Sequence, residues 1–186
     1  REARELPLGA LETLLSSAWH EVRLFALVVL TERAKRLPSA AARLALAEWA
    51  FERRAAINNW DLVDVSIPTL FGGWMPGVVW RRKVETLLRS PSLWDRRMAM
   101  LTTFGWLRQG DLAPCFRFAA KLLNDKHDLI HKAVGWMLRE AGKRDDARLR
   151  AFLDAHAAAM PRTMLRYAVE RLAPRVREGY LLAKKG

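Results

Sequence analysis

The sequence predicts an all-α fold, and two observations carry that prediction. Apolar residues recur at three- and four-residue spacing through nearly the whole chain, the period of a helix with one buried face. The breaks between those stretches are short and marked by Pro, Gly, Ser and Asn, while long alternating runs and Asn-Gly hairpin turns are absent. Short connections make sequential helices antiparallel neighbours.

In WHEVRLFALVVLTERAKRL, Val22, Phe25, Ala26, Val29 and Leu30 fall on one helical face. Pro38 stops that pattern, and SAAARLALAEWAFERR begins a second helix with Ser39 as its cap. The next helix starts near Asn58 or Asn59 and runs to Gly72-Gly73, which reads as a helix stop. Asp61 falls near its start, where the helix dipole favours an acid. Pro76 opens another helix through VVWRRKVETLLR, Ser90-Pro91 punctuates, and SLWDRRMAMLTTFGWLR follows. After Gly110-Asp111 come LAPCFRFAAKLLN, HDLIHKAVGWMLREAG and DARLRAFLDAHAAAM, and from Pro161 RTMLRYAVERLAP makes one more. The tail REGYLLAKKG is expected to fray. The total is about ten helices.

Several of these helices resemble one another. WHEVRLFALVVL, WDRRMAMLTTF, LIHKAVGWML and MLRYAVERL each carry a cation just before an apolar run: Arg23, Arg97, Lys132 and Arg166. WDLVD aligns with WHEVR and places Asp64 where the others have a cation, at successive intervals of 41, 33, 35 and 34 residues. A period in this range, with two helices per unit, indicates a HEAT-like or armadillo-type superhelix in which stacked repeats share one core. Equivalent positions then line one surface, commonly the concave one. The expectation is a basic groove lined by Arg23, Arg97, Lys132 and Arg166, with Asp64 in its middle.

A chain of 186 residues suits one domain or one short repeat array, taken here as a single domain over 1–186. It opens on Arg rather than Met, so a trimmed N-terminus is expected. Lys and Arg total 32 against 20 Asp and Glu, a net charge of +12, which points to anionic partners: nucleic acid, an anionic membrane surface or an acidic protein. The longest apolar run, LFALVVL, is far shorter than the roughly 20 residues a bilayer needs. REARELPLG carries charges where a signal peptide needs an apolar stretch. The single cysteine, Cys115, excludes an internal disulfide and fits a reducing, cytoplasmic setting.

A row of cations at regular spacing suits a duplex backbone, each neutralised phosphate adding a salt-dependent contribution. A carboxylate in that row repels phosphate, so Asp64 either pairs with a neighbouring arginine or has a chemical use. The surrounding cations are expected to favour its ionised form. Beside a sugar, that charge stabilises positive charge developing as a glycosidic bond breaks. Trp60 stands four residues before Asp64 and Trp136 four after Lys132, each on the helical face of its ladder position. Two indoles so placed would hold a sugar or a cationic base; packing is the alternative, and it is the expected role of Trp49, Trp74 and Trp106.

NNWDLVDVS, WDRRMAML and HKAVGWMLRE resemble the bacterial DNA alkylation repair glycosylases of the AlkD type, in the same order along nearly the whole chain. The resemblance implies a superhelix cradling duplex DNA and hydrolytic removal of 3-methyladenine and 7-methylguanine without rotating the base into a pocket. It implies Asp64 as the catalytic carboxylate, Trp60 and Trp136 at the lesion, and Arg97 on a nearby phosphate. All four positions are retained. Lys132, Arg23, Arg166, His131 and Arg139 complete the candidate DNA contacts. No cofactor is implied, and an open groove fits a monomer.

His127 and His131 share a helical face, but HDLIH lacks the Glu of a zinc protease motif, so no metal is expected. Cys115 in CFRF reads as core, and WRRK at 80–83 as either a solvated face or a phosphate contact. Two other functions fit the same residues: a non-catalytic module binding damaged or branched DNA, and a solenoid taking an acidic peptide.

Overall fold

A computed structural model of the chain describes residues 6–74 and 77–182. Among them are eleven α-helices and no strand: α1 Leu8–Leu15, α2 His20–Arg36, α3 Ala40–Glu52, α4 Trp60–Leu70, α5 Val78–Thr86, α6 Leu93–Arg108, α7 Ala113–Lys121, α8 Asp128–Gly142, α9 Asp146–His156, α10 Arg162–Ala168 and α11 Pro174–Leu182. The expected role of Pro76 lies outside the described residues, as does the end of the tail. Leu8, Leu11 and Leu15 make the one face of α1, a helix that the sequence reading left unassigned.

Local chemistry sets the boundaries. Ser39 accepts the amide of Ala42 at 3.1 Å, Asn59 that of Trp60 at 2.6 Å and Asp145 that of Arg148 at 2.9 Å. Each caps a helix whose first amides have no intrahelical acceptor. Asn59, not Asn58, starts α4. Pro68 lies within α4 and lacks an N–H, which leaves the Asp64 carbonyl without its i+4 donor.

The packing is that of a repeat array. α2, α4, α6, α8 and α10 contact one another in chain order and form one layer, with α3, α5, α7 and α9 packed behind their sequence neighbours. The result is an α-α repeat superhelix sharing one continuous core. Trp106 and Phe118 are fully buried in it, and Phe51, Phe71, Trp74 and Trp80 form an aromatic cluster with centroids 5.4–6.2 Å apart. Trp74 and Trp106 are therefore packing residues, while Trp49 packs partly buried against the core. Cys115 is buried there too, and desolvation pushes its thiol up to about 12. In the WRRK segment Trp80 is core, Arg81 pairs with Asp111, Lys83 lies over Phe51, and Arg82 is exposed.

Gly72 and Gly73 follow the end of α4, but neither adopts a left-handed backbone; among the described glycines only Gly110 does, at φ 90°. Gly72 serves proximity instead. A Cβ on Gly105 of α6 would lie 2.3 Å from the Gly72 carbonyl and 2.4 Å from the Pro68 oxygen, and one on Gly72 would lie 2.3 Å from the Thr102 oxygen. These glycines bring the end of α4 and the C-terminal half of α6 together backbone to backbone, about two turns beyond Asp64.

Gly105→Ala is therefore expected to destabilise the protein by about 1–3 kcal/mol, the cost of overpacking against backbone that cannot rotate away. Gly9→Ala on α1, with nothing within 4 Å of the added methyl, should leave the thermal midpoint unchanged or slightly higher.

Candidate active site

The site starts at the capped end of α4. Trp60 is its first residue and Asp64 lies one turn on, so the two side chains share a face, and Trp60 remains 54% exposed. Facing Asp64 is Arg97, the fifth residue of α6. Its Nε donates to Asp64 Oδ1 at 2.9 Å and its Nη2 to Oδ2 at 2.7 Å, a two-pronged contact of guanidinium with carboxylate. The third prong, Nη1, donates to the Leu129 carbonyl in the first turn of α8 at 2.5 Å. The Arg97 side chain is 5% exposed and that of Asp64 21%, so the guanidinium is sunk in the wall while the carboxylate keeps partial access to solvent.

Burial raises the Asp64 carboxyl above the ordinary carboxylate range. The hydrogen bonds and charge of Arg97 oppose that shift without cancelling it, and the nearby charge of Asp61 adds to it. This corrects the expectation that surrounding cations would favour the ionised form: desolvation outweighs them. Asp61 itself is held at 2.7 Å by His20 of α2, in the first turn of α4 where an acid is expected.

An open concavity of about 490 Å3 lies over the pair. Trp60, Trp136, Lys132 and Arg139 line it as well. Trp136 rests on Phe104 with centroids 5.7 Å apart. Lys132 pairs with Asp128 at 2.8 Å, and Arg139 Nη1 with Glu170. The remaining lining residues, Leu129 and Tyr167, were missed by the sequence reading. Tyr167 stands beside the ladder residue Arg166 but occurs in MLRYAVERL without a partner at the same offset in the other repeats, so no pattern marks it.

A model of the DNA alkylation repair enzyme family matches residues 2–172. The chain belongs to this family. Membership makes it an enzyme of DNA repair, with DNA as its partner. A solved structure described as a predicted DNA alkylation repair enzyme from Enterococcus faecalis shares the fold at TM-score 0.69 and 18% sequence identity, covering 93% of this chain and 80% of that one. No curated protein matches the chain. Among the described residues no helix is long and apolar enough to cross a membrane.

Against this family member's geometry, three expected DNA contacts change character. The register of the ladder accounts for two: Asp64, Arg97, Lys132 and Arg166 are each the fifth residue of their helix, but the fifth residue of α2 is Leu24. Arg23 is the fourth, and its Nη1 donates to the carbonyls of Ser17 and Ala18 at 2.8 and 3.0 Å. Arg96, fourth in α6, does the same to Ser90 and Pro91 at 2.9 and 3.0 Å, and His131, fourth in α8, reaches Asp125 O at 2.5 Å. Arg23 and His131 thus belong to a row that ties each inner helix to its preceding loop, not to the groove row. The third change is Arg97, which lines the concavity but is committed to Asp64 and Leu129 instead of standing free for a phosphate. Arg166 is exposed in an adjoining concavity of about 630 Å3. His127 Nδ1 accepts the Leu129 amide at 3.2 Å, and no group of three metal-ligating side chains occurs among the described residues.

Arg97→Ala strands a partly buried carboxylate and should cost about 3 kcal/mol of unfolding free energy, the lower end for a broken buried pair because Asp64 keeps some water. Arg97→Lys should recover little of it, since an ammonium cannot span both oxygens. The sign of the pH effect follows from the raised carboxyl. Its favourable contribution is complete below the ordinary carboxylate range and is lost as pH rises through the folded-state value. Urea titrations of Asp64→Asn and the parent protein should therefore shift in favour of the variant as pH is raised across that window.

Proposed function

We propose that the protein is an alkylpurine DNA glycosylase, removing 3-methyladenine and 7-methylguanine from duplex DNA by hydrolysing the N-glycosidic bond. The single observation that carries this reading is the carboxylate of Asp64, oriented by Arg97 and still partly exposed, lining an open concavity together with Trp60 and Trp136 in a protein of net charge +12. Both its oxygens accept from a guanidinium, the pairing of an ionised carboxylate.

The chemistry asks little more of the protein. A purine alkylated at N3 or N7 already carries positive charge, so it leaves with the bonding electron pair as a neutral base and needs no acid. Positive charge passes to the deoxyribose at C1′. Asp64 faces that charge, and water adds at C1′ with its proton passing through Asp64 to solvent. Trp60 and Trp136 hold the sugar and its backbone, so the base need not leave the stack, unlike in most enzymes acting on bases. Arg97 acts through Asp64, fixing its two oxygens. Lys132, Arg139 and Arg166 supply positive charge along the strand.

A second reading, a non-catalytic module for damaged or branched DNA, draws support from the same pair, because Arg97 already occupies both carboxylate oxygens. The release assay separates the two. With duplex methylated by an alkylating agent, the wild-type protein should liberate free 7-methylguanine. Asp64→Asn should slow that release about a thousandfold, the loss of roughly 4 kcal/mol from one charge pair at about 4 Å and an effective dielectric near 20. DNA affinity should persist or rise. Wild-type protein that releases nothing sinks the glycosylase reading, and equal release by both proteins sinks the role of Asp64. The release rate should also fall in acid, along a limb centred above the ordinary carboxylate range, because the working form of Asp64 is the ionised one.

A further inference from the structure

Most of the charged groups around the concavity are paired within the protein, although the buried Nε of Arg139 has no hydrogen-bond partner among the described residues. Asp64 is held by Arg97, Lys132 pairs with Asp128 at 2.8 Å, and Arg139 pairs with Glu170. The hydroxyl of Tyr167 has no hydrogen-bond partner among the described residues; its side chain lines the same space, and the residue is exposed. The chain has two tyrosines, and the other behaves differently: Tyr180 donates to Asp154 Oδ1 at 2.6 Å.

Its position is built. α10 approaches α8 at Gly135, where an added Cβ would lie 2.4 Å from the Met164 carbonyl and 2.5 Å from the Tyr167 Cβ. The absent side chain at Gly135 lets the tyrosine stem sit directly on the α8 backbone, one residue before Trp136. The ring therefore starts from a fixed point. Together with Lys132 it borders both the 490 Å3 concavity over Asp64 and the 630 Å3 concavity that holds Arg166 and Arg177. The lysine there carries a paired charge; the phenol carries a donor open to solvent and to a ligand.

We propose that Tyr167 is a substrate-positioning residue. Its ring forms a third aromatic wall beside Trp60 and Trp136, against the deoxyribose of the damaged nucleotide, and its O–H donates to a phosphodiester oxygen of that strand. The assignment rests on the glycosylase reading for its effect on rate; the phosphate contact stands or falls separately. A phenol suits the place. It adds a hydrogen bond to an anionic acceptor without adding a further cation beside the developing positive charge on the sugar.

The test uses Tyr167→Phe, which keeps the ring and its packing on Gly135, and Tyr167→Ala, which removes both. Affinity for methylated and unmethylated duplex is measured by fluorescence anisotropy across a salt series, and single-turnover release of 7-methylguanine at saturating protein. Tyr167→Phe should raise Kd about tenfold on both duplexes, the loss of one hydrogen bond to a charged acceptor, with a smaller fall in rate. The slope of log K against log salt should not change, since no charge is lost, whereas Lys132→Ala should reduce it by about one. Tyr167→Ala should also slow release at saturation by about tenfold or more, from lost orientation. Thermal midpoints within a degree or two of wild type for Tyr167→Phe belong to the expected result, while a large fall assigns the residue to packing and overturns the proposal. Wild-type Kd in both variants overturns it as well. Should wild-type protein release no base, the glycosylase reading fails, and the Kd of Tyr167→Phe still decides the phosphate contact in either direction.

Discussion

The site depends on one buried guanidinium. Arg97 reaches Asp64 on the repeat before it and the Leu129 carbonyl on the repeat after, so a single side chain joins α4, α6 and α8. Such a cation could not be left without partners, because an uncompensated buried charge costs several kcal/mol. The three acceptors answer that requirement, and in doing so they fix the carboxylate within a narrow angle. Burial meanwhile raises the carboxyl above its ordinary range, so the pair is held together against a desolvation penalty. The arrangement fixes the orientation of the carboxylate at a cost in solvation.

The clamp is possible because the helices that carry it are unusually close. Gly72 and Gly105 allow α4 and α6 to meet backbone to backbone, and Gly135 does the same for α8 and α10. Pro68 frees the Asp64 carbonyl within the same stretch of α4. Small residues and a missing amide thus lie one or two turns from each group that faces the concavity. The framework is rigid there because its contacts are between backbones, which cannot change rotamer.

Two parallel rows of polar residues run along the inner layer, one position apart. The fourth residues of α2, α6 and α8 (Arg23, Arg96 and His131) bond to carbonyls of the loops before their helices and set the repeat geometry. The fifth residues Asp64, Arg97 and Lys132 line the concavity over the site, and Arg166 lines the one adjoining it. One step along a helix turns a side chain by about 100°, enough to move it from the preceding loop to the concave surface. The array therefore separates residues that hold its own loops from residues that line the concavities by a single residue of register.

Much of this was legible in the chain itself. Helical periodicity, Ser39 as a cap and the 33-to-35-residue spacing of Asp64, Arg97, Lys132 and Arg166 needed only local rules, because periodicity and capping are properties of neighbouring residues. The WDLVD and KAVGWMLRE segments carried the family likeness for the same reason. Arg23 was placed in the wrong row because a 41-residue interval hides a one-residue shift that only the loop carbonyls reveal. The partner of Asp64, the direction of its shift in acidity and the presence of Tyr167 were not written in any segment. The sequence alone determined an all-α repeat array with an acid among regularly spaced cations; the tertiary structure alone decided which cation holds that acid and how far both lie from water, because desolvation and pairing depend on groups brought together from helices 33 residues apart.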